Sequence, residues 1–117
     1  MSKRINRKPF VACQSSLGAA TTVMVTTANL AGGTGAGRLF CLKSLVLCNT
    51  HATVDMTVEV KRGTTTVFKD LLVKASQPAT GISLGEDGIP GAPGEAWSIV
   101  STGAGTLSCT MIGHLEG

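Results

Sequence analysis

Leu39-Phe40-Cys41-Leu42-Lys43-Ser44-Leu45-Val46-Leu47-Cys48-Asn49-Thr50-His51-Ala52-Thr53-Val54-Asp55-Met56-Thr57-Val58-Glu59-Val60-Lys61 carries two strand signatures side by side. In its second half, Val54, Met56, Val58 and Val60 alternate with Asp55, Thr57, Glu59 and Lys61. A period of two sends one set to each face, as in a half-buried antiparallel strand. The first half, residues 39–48, is apolar at nearly every position. That suits a strand covered on both faces, by its own sheet or by another subunit. Asn49-Thr50-His51-Ala52 supplies turn residues between the two. The stretch therefore reads as a central hairpin on which a β-sandwich is built.

Towards the C-terminus, Arg62-Gly63-Thr64 turns into a strand over Thr65–Val73, which Ser76-Gln77-Pro78 ends. Ile82-Ser83-Leu84 is a short strand. Residues 88–96 scan as Gly-x-y triplets, too few for a collagen helix, and read as a rigid loop. Trp97–Val100 forms a strand, Gly103-Ala104-Gly105 a turn, and Thr106–Leu115 the last strand. There Leu107, Cys109 and Met111 face one way, and Ser108 and Thr110 the other. Towards the N-terminus, Pro9–Cys13 suits an edge strand with its proline at the start. Thr21–Thr27 alternates, with Val23 and Val25 opposed to Thr22, Met24 and Thr26. Between them and the central stretch, Gly32 to Arg38 imitates a phosphate-binding loop. Arg38 stands where that loop needs lysine, Leu39 where it needs Ser or Thr, and a strand follows in place of a helix. A plain inter-strand loop is the better reading. The expectation is an all-β fold: an antiparallel, jelly-roll-like sandwich of about eight strands with no substantial helix.

At 117 residues, the chain is long enough for one domain with a single core. Hydrophobic residues make up 43%, yet the aromatics are only Phe10, Phe40, Phe68 and Trp97. No run approaches a membrane span and no signal-peptide core opens the chain, so the reading has the protein stay in its compartment of synthesis. Cys13, Cys41, Cys48 and Cys109 each sit in an apolar run without CxxC spacing, which fits buried thiols in a reducing cytosol. Cys41 and Cys48 are an odd number of residues apart, so a regular strand points them to opposite faces. His51 and His114 lack a neighbouring ligand pattern, and no metal or cofactor is expected. Asp55 and Glu59 share a polar strand face and read as solubilising charges. Neither a GxSxG elbow nor an HExxH helix motif is present, and one tryptophan is thin material for a sugar platform. The chain does not read as an enzyme.

Lys3, Arg4, Arg7 and Lys8 are four of the ten basic residues, whereas all seven acidic residues follow Pro9. The net charge of +3 therefore belongs to residues 1–9, read as a basic arm ahead of a sandwich domain at 10–117. Such an arm can contact phosphates, dock on an acidic protein surface, or remain solvated. The expected use is docking. Lys3, Arg4, Arg7 and Lys8 would lie against acidic groups of a neighbouring subunit, with Ile5 and Phe10 in apolar pockets.

The run Leu45–Val60, the segment Val67–Val73, the loop ending in Pro93-Gly94-Glu95-Ala96-Trp97 and the close Gly113-His114-Leu115-Glu116 together resemble small β-sandwich virion proteins of tailed bacteriophages. The likeness spans Leu39 to Gly117 and leaves out the arm and the Gly32–Gly37 loop. It implies a structural virion protein assembled in the host cytoplasm. The first expectation is a capsid decoration or cement protein, a homo-oligomer on the major capsid protein lattice. A neck, tail or fibre component is the alternative, and a coat protein whose arm contacts packaged nucleic acid is a second one.

Overall fold

The computed structural model describes residues 7–31, 37–76, 79–85, 88–102 and 106–117. Nine strands run through them: β1 (Arg7–Leu17), β2 (Thr21–Val25), β3 (Leu39–Asn49), β4 (Met56–Arg62), β5 (Thr65–Val73), β6 (Thr80–Ser83), β7 (Ile89–Pro90), β8 (Trp97–Ser101) and β9 (Leu107–Glu116). No helix occurs among the described residues, so none is long and apolar enough to cross a membrane. One sheet has the order β1-β9-β3-β6, with the two-residue β7 beside β6 on β3; the other has the order β2-β8-β4-β5.

The pairs β4–β5, β3–β6, β2–β8 and β1–β9 are all antiparallel and nest inside one another. Successive pairs fall alternately in the two sheets, so one long ribbon is rolled into a sandwich. That is the winding of a jelly roll, and the all-β sandwich expected from the sequence is what the chain forms.

The central hairpin, however, is not there. β3 and β4 belong to different sheets, and residues 50–55 turn a corner between them. The apolar sets of both strands explain this. Leu45 and Leu47 of β3, and Met56, Val58 and Val60 of β4, are all buried in one core. Opposed sheets let both sets face that core; a shared sheet would not fill it from two sides. Asn49, 1% exposed, locks the corner. Its Nδ2 donates to the carbonyls of Val54 (2.8 Å) and Val73 (3.2 Å), while its Oδ1 accepts from the His51 N–H (3.0 Å) and the Thr106 hydroxyl (3.2 Å). One side chain thus ties the end of a strand in one sheet to the end of a strand in the other. The real hairpin is β4–β5, turned over Gly63, whose φ of 57° is easiest without a Cβ.

Bulges break the alternation that the sequence predicts. The β3–β9 register shifts between Leu42 and Ser44, and the Lys43 carbonyl accepts from the Leu84 N–H (2.9 Å). Phe40 and Leu42 face the core before the shift; Leu45, Leu47 and Asn49 face it afterwards. The phase change puts Cys41 and Cys48 on the same outer face, against the expectation from their odd spacing. Both are outside any disulfide. Double coverage of this strand holds for Phe40–Leu42, which are buried, but Val46 and Cys48 are only half-buried. In β2 a shift between Val23 and Val25 buries Met24 and Val25 together and leaves Val23 exposed, so the alternation read over Thr21–Thr27 does not hold. Val54 is exposed ahead of β4.

An aromatic row runs through the core. Phe10 meets Phe40 edge-on (5.9 Å, 73°), and Phe40 meets Trp97 likewise (5.6 Å, 83°). Gly113 of β9, partnered by Leu42 and Phe10, sits beside this row. A Cβ there would overlap the Cys41 carbonyl and lie 2.9 Å from Phe40 Cζ, so glycine is what lets the two strands approach at the bulge.

Candidate functional site

β1 is the edge of its sheet. One side of its backbone pairs with β9, and no strand lies beside the other among the described residues. Such a row of unpaired N–H and C=O groups is a template for another chain. The strand already begins at Arg7, so the domain takes in residues that the sequence assigns to the arm. Arg7 pairs with Glu116 and Lys8 with Leu115, and an edge position is where a strand tolerates Pro9. Arg7 Nε donates to Glu116 Oε1 at 3.3 Å, closing the two ends of the ribbon together. Phe10 packs on Phe40 of its own core, turned inward by the pairing of β1 with β9. Lys3, Arg4 and Ile5 lie outside the described residues, as does most of the Gly32–Gly37 loop.

On the outer face of the sheet, Val11 stands opposite Ile112; they are 60% and 37% exposed. Beside them an open groove of about 370 Å³ is lined by Arg7, Pro9, Lys43, Ile112, Gly113 and His114. Two cations and an apolar floor make it suited to a partner that offers both apolar and acidic groups. Cys13 follows Val11 on the same face, exposed rather than buried, and accepts a hydrogen bond from the Thr110 hydroxyl (3.3 Å). On the other sheet a smaller hollow of about 180 Å³ is lined by Glu59, Lys69 and Asp70 among others.

The remaining polar groups singled out in the sequence make local structural contacts. His51 Nδ1 accepts from the N–H groups of Thr53 and Val54, both at 3.1 Å, so this half-buried side chain organises the corner. The Asp55 carboxylate accepts from the Ala75 N–H (2.9 Å), and Glu59 from the Thr66 hydroxyl (2.9 Å). These two acids serve separate contacts. Within the Gly-x-y segment, Glu95 Oε1 accepts from the Ala92 N–H (3.0 Å) and lies 3.5 Å from Arg62 Nη1. Cys109 is buried in the core, and desolvation, followed by the nearby Cys13 thiol, raises its pKa from 9.0 to about 12.

The cross-strand pair Cys41–His114 brings a second grouping to the outer face. Cys41 Sγ, a ring nitrogen of His114 and a Glu116 oxygen all lie within 4.8 Å of one another. His114 Nε2 is 3.4 Å from Glu116 Oε2, yet the ring nitrogen is buried without a hydrogen-bond partner. In the sequence alone, His114 has no neighbouring ligand pattern of the usual kind. A signal was present, since His114-x-Glu116 in a strand puts both side chains on one face. Cys41 could be added only once the register was known. Compared with known proteins, the chain matches no protein-family model and no curated protein.

Proposed function

We propose that the chain is a non-catalytic structural protein of a tailed-phage particle, docking as a decoration protein on the major capsid protein lattice in homo-oligomeric form. The observation that carries this reading is the eleven-residue β1 edge: basic at its start, unpaired along one side among the described residues, and flanked by exposed Val11 and Ile112. Main-chain pairing along such an edge gives attachment, and the side chains beside it give selectivity. The resemblance of Leu39–Gly117 to phage virion proteins supports that setting. Jelly rolls recur in capsid domains, though also in lectins and cupins, so the topology adds support by analogy alone.

The test is rebinding of purified protein to particles that lack it. Val11→Lys with Ile112→Lys, both solvent-facing, is expected to leave folding intact and abolish rebinding. Undiminished rebinding of the folded double variant would refute the docking face. A copy number of hundreds per virion, measured on a quantified gel, supports decoration, whereas a handful assigns the chain to the neck or tail. Steeply salt-dependent binding to DNA with no attachment to empty particles would favour the nucleic-acid alternative.

A further inference from the structure

We infer that Cys41, His114 and Glu116 form a binding site for a divalent transition-metal ion of the zinc type. The three donors are a thiol, an imidazole and a carboxylate, the set that zinc takes in tetrahedral protein sites. They come from two adjacent strands whose register is fixed by the bulge at Lys43 and the close approach at Gly113. The site is therefore on rigid backbone, which a metal site requires.

The His114–Glu116 separation matches that of two ligands of one ion better than that of a hydrogen-bonded pair, with Cys41 Sγ within 4.8 Å of both. His114 Nε2 lies 3.4 Å from Glu116 Oε2 but makes no hydrogen bond to it, and the His114 side chain is only 9% exposed. A buried polar atom without a partner costs stability unless something fills the gap. Two ligands about 2.1 Å from a tetrahedral zinc ion lie about 3.4 Å apart, and the observed separation fits two atoms sharing one ion. Arg7 holds the other carboxylate oxygen, Oε1, at 3.3 Å. That contact orients Glu116, as outer partners of metal ligands commonly do.

Charge is balanced as well. On binding, the Cys41 S–H releases its proton to solvent and the thiolate donates an electron pair to the metal. Thiolate and carboxylate together offset the two charges of the ion, and nothing is oxidised or reduced. Three protein donors leave one tetrahedral position for a water molecule. The groove that His114 lines gives ion and water a route from solvent.

Full-length protein, stripped with a chelator and kept reduced, is titrated with Zn²⁺ by calorimetry and with Co²⁺ by absorption. One equivalent of each is expected to bind, with proton release and, for cobalt, a near-ultraviolet thiolate charge-transfer band. Cys41→Ser should abolish that band, while Cys13→Ser and Cys48→Ser should keep it. Glu116→Gln and His114→Gln should each weaken binding by at least about 10-fold. These two variants keep the test open should Cys41→Ser fail to fold. Absence of stoichiometric binding, a band lost with Cys13 instead of Cys41, or unchanged affinity in Glu116→Gln and His114→Gln would overturn the site.

Discussion

Replacing Gly113 by alanine tests the packing at the bulge with a single methyl group. Its backbone angles lie outside the left-handed region, so alanine is conformationally allowed and only space opposes it. The added Cβ would overlap the Cys41 carbonyl and stand 2.9 Å from Phe40 Cζ. Phe40 is wedged between Phe10 and Trp97, and the carbonyl belongs to the middle of a sheet. Neither can yield cheaply. Overpacking of this kind costs about 1–3 kcal/mol. Pushing β3 from β9 weakens a ladder hydrogen bond, worth about 1 kcal/mol more. Reduced freedom of the unfolded chain returns about 0.4–1 kcal/mol. The net loss is about 1–3.5 kcal/mol, which for a domain of this size lowers Tm by roughly 10 °C at mid-range. Urea unfolding followed by tryptophan fluorescence measures it, because Trp97 is buried against the same row. Gly81→Ala is the control: it lies in β6 with nothing within 4 Å of its Cβ, and should change stability by less than about 0.5 kcal/mol. If Gly113→Ala and Gly81→Ala unfold at the same urea concentration, with equal slopes, the account of the bulge is wrong.

Two further substitutions probe the corner and the core. Asn49→Ala removes four hydrogen bonds at a buried site and is expected to cost about 3 kcal/mol. Asn49→Asp should be at least as damaging, since a carboxylate would face the Val54 and Val73 carbonyls; a near-native urea midpoint for either would show that the corner stands without it. For Cys109, burial raises the folded-state pKa from 9.0 to about 12, so the folded state holds its proton more tightly than the unfolded one. Its contribution is complete below pH 9.0 and is lost as pH rises towards about 12. Cys109→Ala should make the pH dependence of stability measurably shallower in that window, and an unchanged slope there would contradict the assignment.

Strand identity was legible in this sequence because apolar periodicity reports the face a residue buries, and the last strand shows it: Leu107, Cys109 and Met111, expected on one face, are buried, with Ser108 and Thr110 half-buried between them. Pairing was less legible. The apolar run ending at Cys48 and the alternating run after it look like neighbours in one sheet, because periodicity does not say which sheet a strand joins. The buried amide of Asn49 decides that, and an asparagine in a turn-like segment carries the same sequence signal whether it caps a hairpin or bolts a corner. The pairing of Arg7 and Lys8 was hidden for a related reason. Proline at position 9 reads as a strand start, yet at a sheet edge its missing N–H does not stop pairing, and Arg7 and Lys8 continue the ladder.

Bulges explain both what was missed and why the candidate site exists. In a regular strand Cys41 would share a face with Leu45 and Leu47, and Phe40 and Leu42 would point out to solvent. The extra residue at Lys43 reverses that phase halfway along β3. Phe40 then completes the aromatic row, and Cys41 is delivered to the outer face directly opposite His114. Gly113 answers the bulge from the facing strand, giving the room in which the backbones meet. A bulge costs ladder hydrogen bonding and is retained where it re-aims a side chain. Here it re-aims two sets at once, one into the core and one toward a buried imidazole nitrogen that has no hydrogen-bond partner.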